Sequence, residues 1–149
     1  MRRIEADDFV VAYRGRVESS GFGASLGVTF LSRSGASVMQ CGVTGDIGRL
    51  FFQVIEGQIA LAERRSIIAV AFGGSKLTQG GVLEQDVIAA RQWVCAELRR
   101  LEFGGVSSHW CPDRADAIQS VVVSPAQREI LLVTEFHMSG EGHLVQRFE

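Results

Sequence analysis

The stretch from Gly45 to Gly74 limits what this chain can fold into more than any other. Its first part places Arg49, Gln53, Glu56, Ala60 and Glu63 in alternating steps of four and three residues. Positions so spaced share one face of an α-helix, so the pattern predicts a helix over Asp46–Arg65. Ala60 fills the one gap in that polar stripe, and nearly everything around it is apolar: Ile47, Leu50, Phe51, Phe52, Val54, Ile55, Ile59, Leu61 and Ala62. A surface helix needs an apolar arc of only about 100°. This helix is therefore expected to be covered on two sides. The run Ile67-Ile68-Ala69-Val70-Ala71-Phe72 follows without alternation, as in a strand with both faces covered. It is expected to be the central strand, paired on both edges and closed to water.

The rest of the chain fits around that unit. Phe9–Val17 reads as a strand with Phe9, Val11 and Tyr13 on one face. Ser19-Ser20-Gly21-Phe22-Gly23 has the composition of a turn. Ser25–Ser32 and Ala36–Val43 read as a hairpin closed at Arg33-Ser34-Gly35. Thr44 or Asp46 offers a side-chain oxygen to the first turn of the long helix. Gly73-Gly74-Ser75 and Gln79-Gly80-Gly81 form a connector. A second helix is expected from about Leu83 to Phe103, on the stripe Leu83, Val87, Ala90, Val94, Leu98 and Leu101, with Gly104-Gly105 as its stop. Val106–Trp110 reads as a short strand, broken by Cys111-Pro112-Asp113. Ala117–Val123 and Glu129–Phe136 flank Ser124–Gln127, which also has the pattern of a helix start. The β-rich run Ile130–Thr134 favours strands, and His143–Phe148 adds an edge strand. No repeat or Pro-rich linker divides the chain. The expected architecture is a single α+β domain over 1–149, in two layers, with a mixed or antiparallel sheet and two main helices, in the order β-β-β-α-β-α-β-β(-β).

Composition excludes several classes of function. Net charge is −2 with a pI near 5.9, and no Lys/Arg cluster marks a nucleic-acid partner. The apolar runs are of strand length, so no membrane span is expected. Met1–Asp8 lacks the apolar stretch of a signal peptide. Cys41, Cys95 and Cys111 are odd in number and widely spaced. They fit neither a disulfide framework nor a zinc site, and read as reduced thiols of a cytoplasmic protein. No metal and no cofactor is expected. Charged residues make up 21% of the chain and mean hydropathy is +0.16, so the surplus apolar surface points to self-association as a dimer or trimer.

The densest polar cluster is Ser107–Asp116. His109 near Cys111 would supply a base and a nucleophile, although two residues apart on a strand they stand about 7 Å apart. Arg114 would hold a carboxylate or phosphate bidentately. His109 or Asp116 would move protons, with Asp113 beside them. A polar turn, with Trp110 anchored in the core and Arg114 paired to a carboxylate, is the alternative. Ser75 and Lys76 follow the buried strand in Gly73-Gly74-Ser75-Lys76, where ligands gather in α/β sheets; a plain connector is the alternative. Glu135, His137, Glu141 and His143 lack a recognised metal spacing, and a solvated loop is expected there. Trp93 reads as a core residue or an interface anchor, and its position off the stripe of its helix favours contact with another subunit.

The order β-β-β-α-β-α resembles the ribonuclease H-like fold, and Ser108–Asp116 resembles that family's late His…Ala-Asp segment. The resemblance implies metal-bound carboxylates. Their positions near the first strand and after the central strand hold Arg14 and Gly73 here, and only Asp116 matches. The topology is thus implied without the nuclease. Over Gly45–Glu63 the chain also resembles the first helix of the RidA/YjgF trimer family. Together the residues point to a non-catalytic or small-molecule-binding homo-oligomer. The alternative is a small enzyme acting on an anionic polar metabolite through residues 107–116. A pocket joining that segment to Gly73–Lys76 would favour the enzyme.

Overall fold

The computed structural model describes residues 1–43, 46–77, 83–137 and 143–148. In chain order it contains β1 (Arg2–Ile4), β2 (Asp8–Tyr13), β3 (Val17–Phe22), β4 (Leu26–Ser32), β5 (Gly35–Cys41), α1 (Ile47–Gln58), α2 (Leu61–Arg64), β6 (Ile68–Gly73), α3 (Glu84–Arg100), β7 (Gly105–Trp110), β8 (Ala117–Ser124), β9 (Glu129–Phe136) and β10 (His143–Phe148). A single 3₁₀ turn, Pro125–Gln127, joins β8 to β9 and ends at Arg128 in the left-handed region (φ 51°). The helix-start pattern at Ser124 therefore becomes a tight turn between two strands. The fold is α+β.

The strands form two mixed sheets. One runs β2-β5-β4-β6-β7, the other β1-β3-β8-β9-β10. The first sheet is the middle layer of three. On one face, Val28, Phe30, Met39, Ala69 and Ala71 pack under Phe51, Phe52 and Ile55 of α1 and Val94 and Leu98 of α3. On the other, Val10, Val38, Val70 and Phe72 meet Val17, Phe22, Val121, Val123 and Leu132 of the second sheet. Alternation along β6 thus serves two cores: Ala69 and Ala71 face the helices, Val70 and Phe72 the second sheet. Phe22 and Phe72 meet edge to face at 4.7 Å across the sheets. Gly27 permits this, because a Cβ there would run into the Phe72 ring.

The expected two layers and single sheet are corrected by the path of β3. After β2 the chain crosses to the second sheet, where β3 pairs with β1 and β8. The serines that resemble a turn are strand residues: Ser19 is buried and its hydroxyl donates to the Ile4 carbonyl at 2.9 Å. Gly21 (φ 82°) supplies the bulge between Ser20 and Phe22. The strands preceding α1 are consequently no meander. β2 lies outside β5, and β4 pairs antiparallel with β6, which departs from the implied ribonuclease H-like arrangement. The second face of the central strand is covered by β8 and β9 within the chain.

The long helix is interrupted. Ile59 and Ala60 adopt extended backbone (ψ 115° and 145°), separating α1 from α2. Breaking there lets Ile59 enter the core at 2% exposure. Arg64, 8% exposed, fills the junction. Its Nη1 donates to Ile59 O (2.7 Å) and its Nε to Leu101 O (2.8 Å), so one guanidinium satisfies carbonyls at the ends of α1 and α3. Asp46 stands at the N-cap of α1 without a side-chain cap bond; Thr44 and Gln79–Gly81 lie outside the described residues. α3 ends earlier than expected. Glu102 takes the left-handed conformation (φ 59°), with Phe103 N donating to Leu98 O and Glu102 N to Arg99 O, a Schellman stop without glycine. Ile68, at the entrance to β6, is 62% exposed, so the closed strand begins at Ala69. No described helix is long and apolar enough to cross a membrane.

Candidate functional site

The two segments singled out in the sequence do meet. β6 ends in Gly73 and Gly74, both at positive φ (75° and 60°). Cys111 N donates to Gly73 O (2.7 Å), and the Ser75 hydroxyl to Pro112 O (3.0 Å). Lys76 N donates to Asp113 Oδ1 at 2.9 Å, and the Lys76 ammonium stands 3.4 Å from Oδ2. Arg91 of α3 donates to Gly74 O (2.7 Å), reaches Asp113 at 3.4 Å, and lies over the Trp110 ring. Burial works against the Asp113 charge, but the Lys76 N–H, its ammonium and Arg91 outweigh that and hold the carboxyl below the usual range. These groups are engaged with one another. They fasten the loop after β7 onto the end of β6.

Other members of the cluster are also committed. Arg114 donates to Asp116 through Nε and Nη2, each at 3.1 Å, and its guanidinium lies 4.5 Å from the centre of the Phe136 ring. Cys111 is 1% exposed, and burial with the nearby Asp113 charge pushes its thiol up to about 11. That favours the inert thiol over the thiolate. His137 Nε2 stands 3.5 Å from Glu135, while Glu141 and the His143 side chain lie outside what is described. Among the described residues no three His, Cys, Asp or Glu side chains are grouped to hold a metal ion.

His109 is separate from this network. It faces the second sheet, beside Phe148 of β10 (ring centroids 4.8 Å apart). Its Nε2 is 2.6 Å from Ser107 Oγ, and its Nδ1 is 3.0 Å from the Gln146 carboxamide nitrogen. Burial lowers its pKa, keeping the imidazole neutral at pH 7. The spacing Ser107-x-His109 on a strand, which puts both side chains on one face, was the available signal for this pair. Gln146 depends on how the two sheets meet and has no local signal.

A cleft of about 380 Å³ opens between α1 and α3. Its floor is Leu26, Met39 and Cys41, one wall is Trp93 and Val94, and Arg49, Asp46 and Asp86 stand at the rim. It lies beyond the carboxyl end of β5, where α1 and α3 both begin. Gly48 of α1 lies against this wall: a Cβ there would come within 3.1 Å of the Trp93 ring and 3.4 Å of Cys41 Sγ. Trp93 is half-buried and packs edge-on against Phe52, with ring centroids 5.4 Å apart. Burial pushes the Cys41 thiol above its ordinary pKa. Periodicity identifies the apolar faces of both helices but not the gap between them.

No protein-family model matches this chain, and no curated protein matches it in sequence.

Proposed function

We infer that the protein is a small-molecule-binding domain whose ligand occupies the cleft between α1 and α3. The observation that carries this is the cleft's position and lining. In α/β sheets, ligands bind beyond the carboxyl ends of strands, and binding pockets combine an apolar interior with a few polar groups. Here the floor is apolar, and the only cation among the lining residues, Arg49, sits at the rim with two helix amino-terminal turns. Those turns and Arg49 favour a carboxylate. Asp46 and Asp86 favour a hydroxyl or ammonium group on the same ligand. A small hydroxy- or amino-carboxylate with an apolar body fits that description. Thermal-shift screening of such compounds tests it, because a ligand of the folded state raises the melting temperature. Gly48→Leu, which fills the cleft, should remove any shift. A shift that survives Gly48→Leu places the ligand elsewhere.

Self-association is a second reading, carried by the outer face of the helix layer. With the second face of β6 covered within the chain, exposed apolar surface is the remaining ground. Leu50 is 47% exposed, Leu61 37% and Ile88 38%. An interface there should bury more than about 1,000 Å². Light scattering at micromolar concentration tests it, and a mass of 16.2 kDa without concentration dependence removes it.

A further inference from the structure

The open ends of the two sheets enclose a second groove, of about 840 Å³, that does not touch the cleft. Ser107 lines it, with Val70, Ile130 and Phe148 as apolar walls. Arg33, Arg128 and Arg147 also line it, and Glu63 is the one carboxylate among the described lining residues. Arg147 is paired with Glu129 at 3.2 Å. Among the described residues no carboxylate pairs with the guanidinium of Arg33 or Arg128. Ser107, His109 and Gln146 form a continuous chain of contacts, 2.6 Å and 3.0 Å long. A nucleophile, a base within hydrogen-bond reach and a third group that orients the base are the recurring parts of covalent acyl transfer.

We propose that this groove is an acyl-transfer site, with Ser107 as nucleophile, His109 as general base, Gln146 orienting the imidazole, and an ester bearing a carboxylate as substrate. Ser107 Oγ bonds to the acyl carbon while its proton passes to His109 Nε2. The ester C–O bond breaks, and the departing alkoxide takes that proton. Water then attacks the acyl-serine with His109 again as base, releasing the acid and restoring Ser107. The imidazole must carry its proton on Nδ1 for this. Turning the Gln146 carboxamide over presents Oε1 to Nδ1–H and leaves the Nε2 lone pair for Ser107. Gln146 has no other described hydrogen bond to oppose that turn. The arginines give the groove a positive mouth suited to the carboxylate.

The full chain is treated with a fluorophosphonate probe, and the labelled peptide is identified by mass spectrometry. Hydrolysis of the mono-4-nitrophenyl ester of succinate is compared with that of 4-nitrophenyl acetate. Labelling is expected at Ser107. It should vanish in Ser107→Ala and fall about a hundredfold in His109→Gln, with urea midpoints showing both variants folded. The succinyl ester should be preferred, and Arg33→Gln with Arg128→Gln should remove the preference. Gln146→Glu fixes the Nδ1–H tautomer and should move the acidic limb of the pH profile upward, in a groove whose other charges among the described residues are Arg33, Arg128, Arg147 and Glu63. Labelling at a different serine, or none above the Ser107→Ala background in folded protein, overturns the proposal. Labelling of Ser107 that is indifferent to His109→Gln overturns the dyad.

Discussion

Replacing Gln119 with leucine removes a buried polar link between the two sheets. Gln119, on β8, is 2% exposed. Its Oε1 accepts from Gly73 N (2.7 Å), and its Nε2 donates to His109 O (3.0 Å) and Thr134 Oγ1 (3.2 Å). Gly73 N–H, on β6, would lose this acceptor in a buried setting, and His109 C=O, on β7, would lose this donor in a half-buried one. Each such group costs about 1–3 kcal/mol, while the Thr134 hydroxyl is free to turn. The pair gives about 2–6 kcal/mol, reduced by about 1 kcal/mol for the apolar surface that leucine buries. Expected destabilisation is therefore about 3 kcal/mol, or about 6–12 °C in melting temperature for a chain of this size. Urea unfolding, with the slope compared to the parent, measures it. Thr134→Val removes one hydroxyl and should cost about 1 kcal/mol or less. A Gln119→Leu protein within about 0.5 kcal/mol of the parent, with the fold unchanged, would refute the claim that this carboxamide holds the sheets together.

Other substitutions separate the layers. Val70→Asp should abolish soluble expression, since an unpaired carboxylate in the inter-sheet core costs several kcal/mol or more; Ile68→Asp, at a 62% exposed position, should be tolerated, and expression of the two side by side checks the boundary of the closed strand. Arg64→Met should destabilise by about 3 kcal/mol or more in urea, because buried carbonyls of both α1 and α3 lose their donor. Cys111 should weaken the fold at alkaline pH: its folded pKa of about 11 lies above the unfolded value, so the unfolded state releases its proton first and stability falls as pH rises from about 9 to 11. Cys111→Ala should flatten the urea midpoint over that range while lowering it at pH 7. Hydrogen exchange should find the amides of Ala69–Phe72 among the slowest.

The sequence exposed what depended on local pattern. The unalternating run Ile67–Phe72 holds from Ala69 on, with Ile68 exposed, and the second helix's stripe holds from Val87 on, with Leu83 exposed; these and the β-rich Ile130–Thr134 were legible because burial on one face or two leaves a periodic trace. What stayed hidden depended on tertiary override. Ser19 and Ser20 form a strand because neighbouring chains supply hydrogen bonds, against a composition that favours turns. Ile59 and Ala60 leave helical geometry because the buried Arg64 stabilises the open carbonyls, and nothing in the apolar spacing marks that break. Glu102 adopts a conformation for which glycine would be expected. Of the candidate residues, Ser75 and Lys76 of the glycine-rich turn meet Cys111–Asp113 of the polar cluster, while Arg114 and Asp116 pair with each other. Their partners, Arg91, Gly74 and Phe136, come from distant elements and commit them to holding the loop. His109 joins a different arrangement, through Gln146 on a strand whose register no local pattern fixes.

The claim that the helix-layer cleft binds a small molecule is tested most directly by nuclear magnetic resonance. Backbone amide spectra of the isotopically labelled chain are recorded against small hydroxy- and amino-carboxylates. The expected result is saturable shifts confined to Met39, Cys41, Gly48, Arg49, Ala90 and Trp93, absent in Gly48→Leu. Saturable shifts centred on other residues, or none across the whole panel, would contradict it.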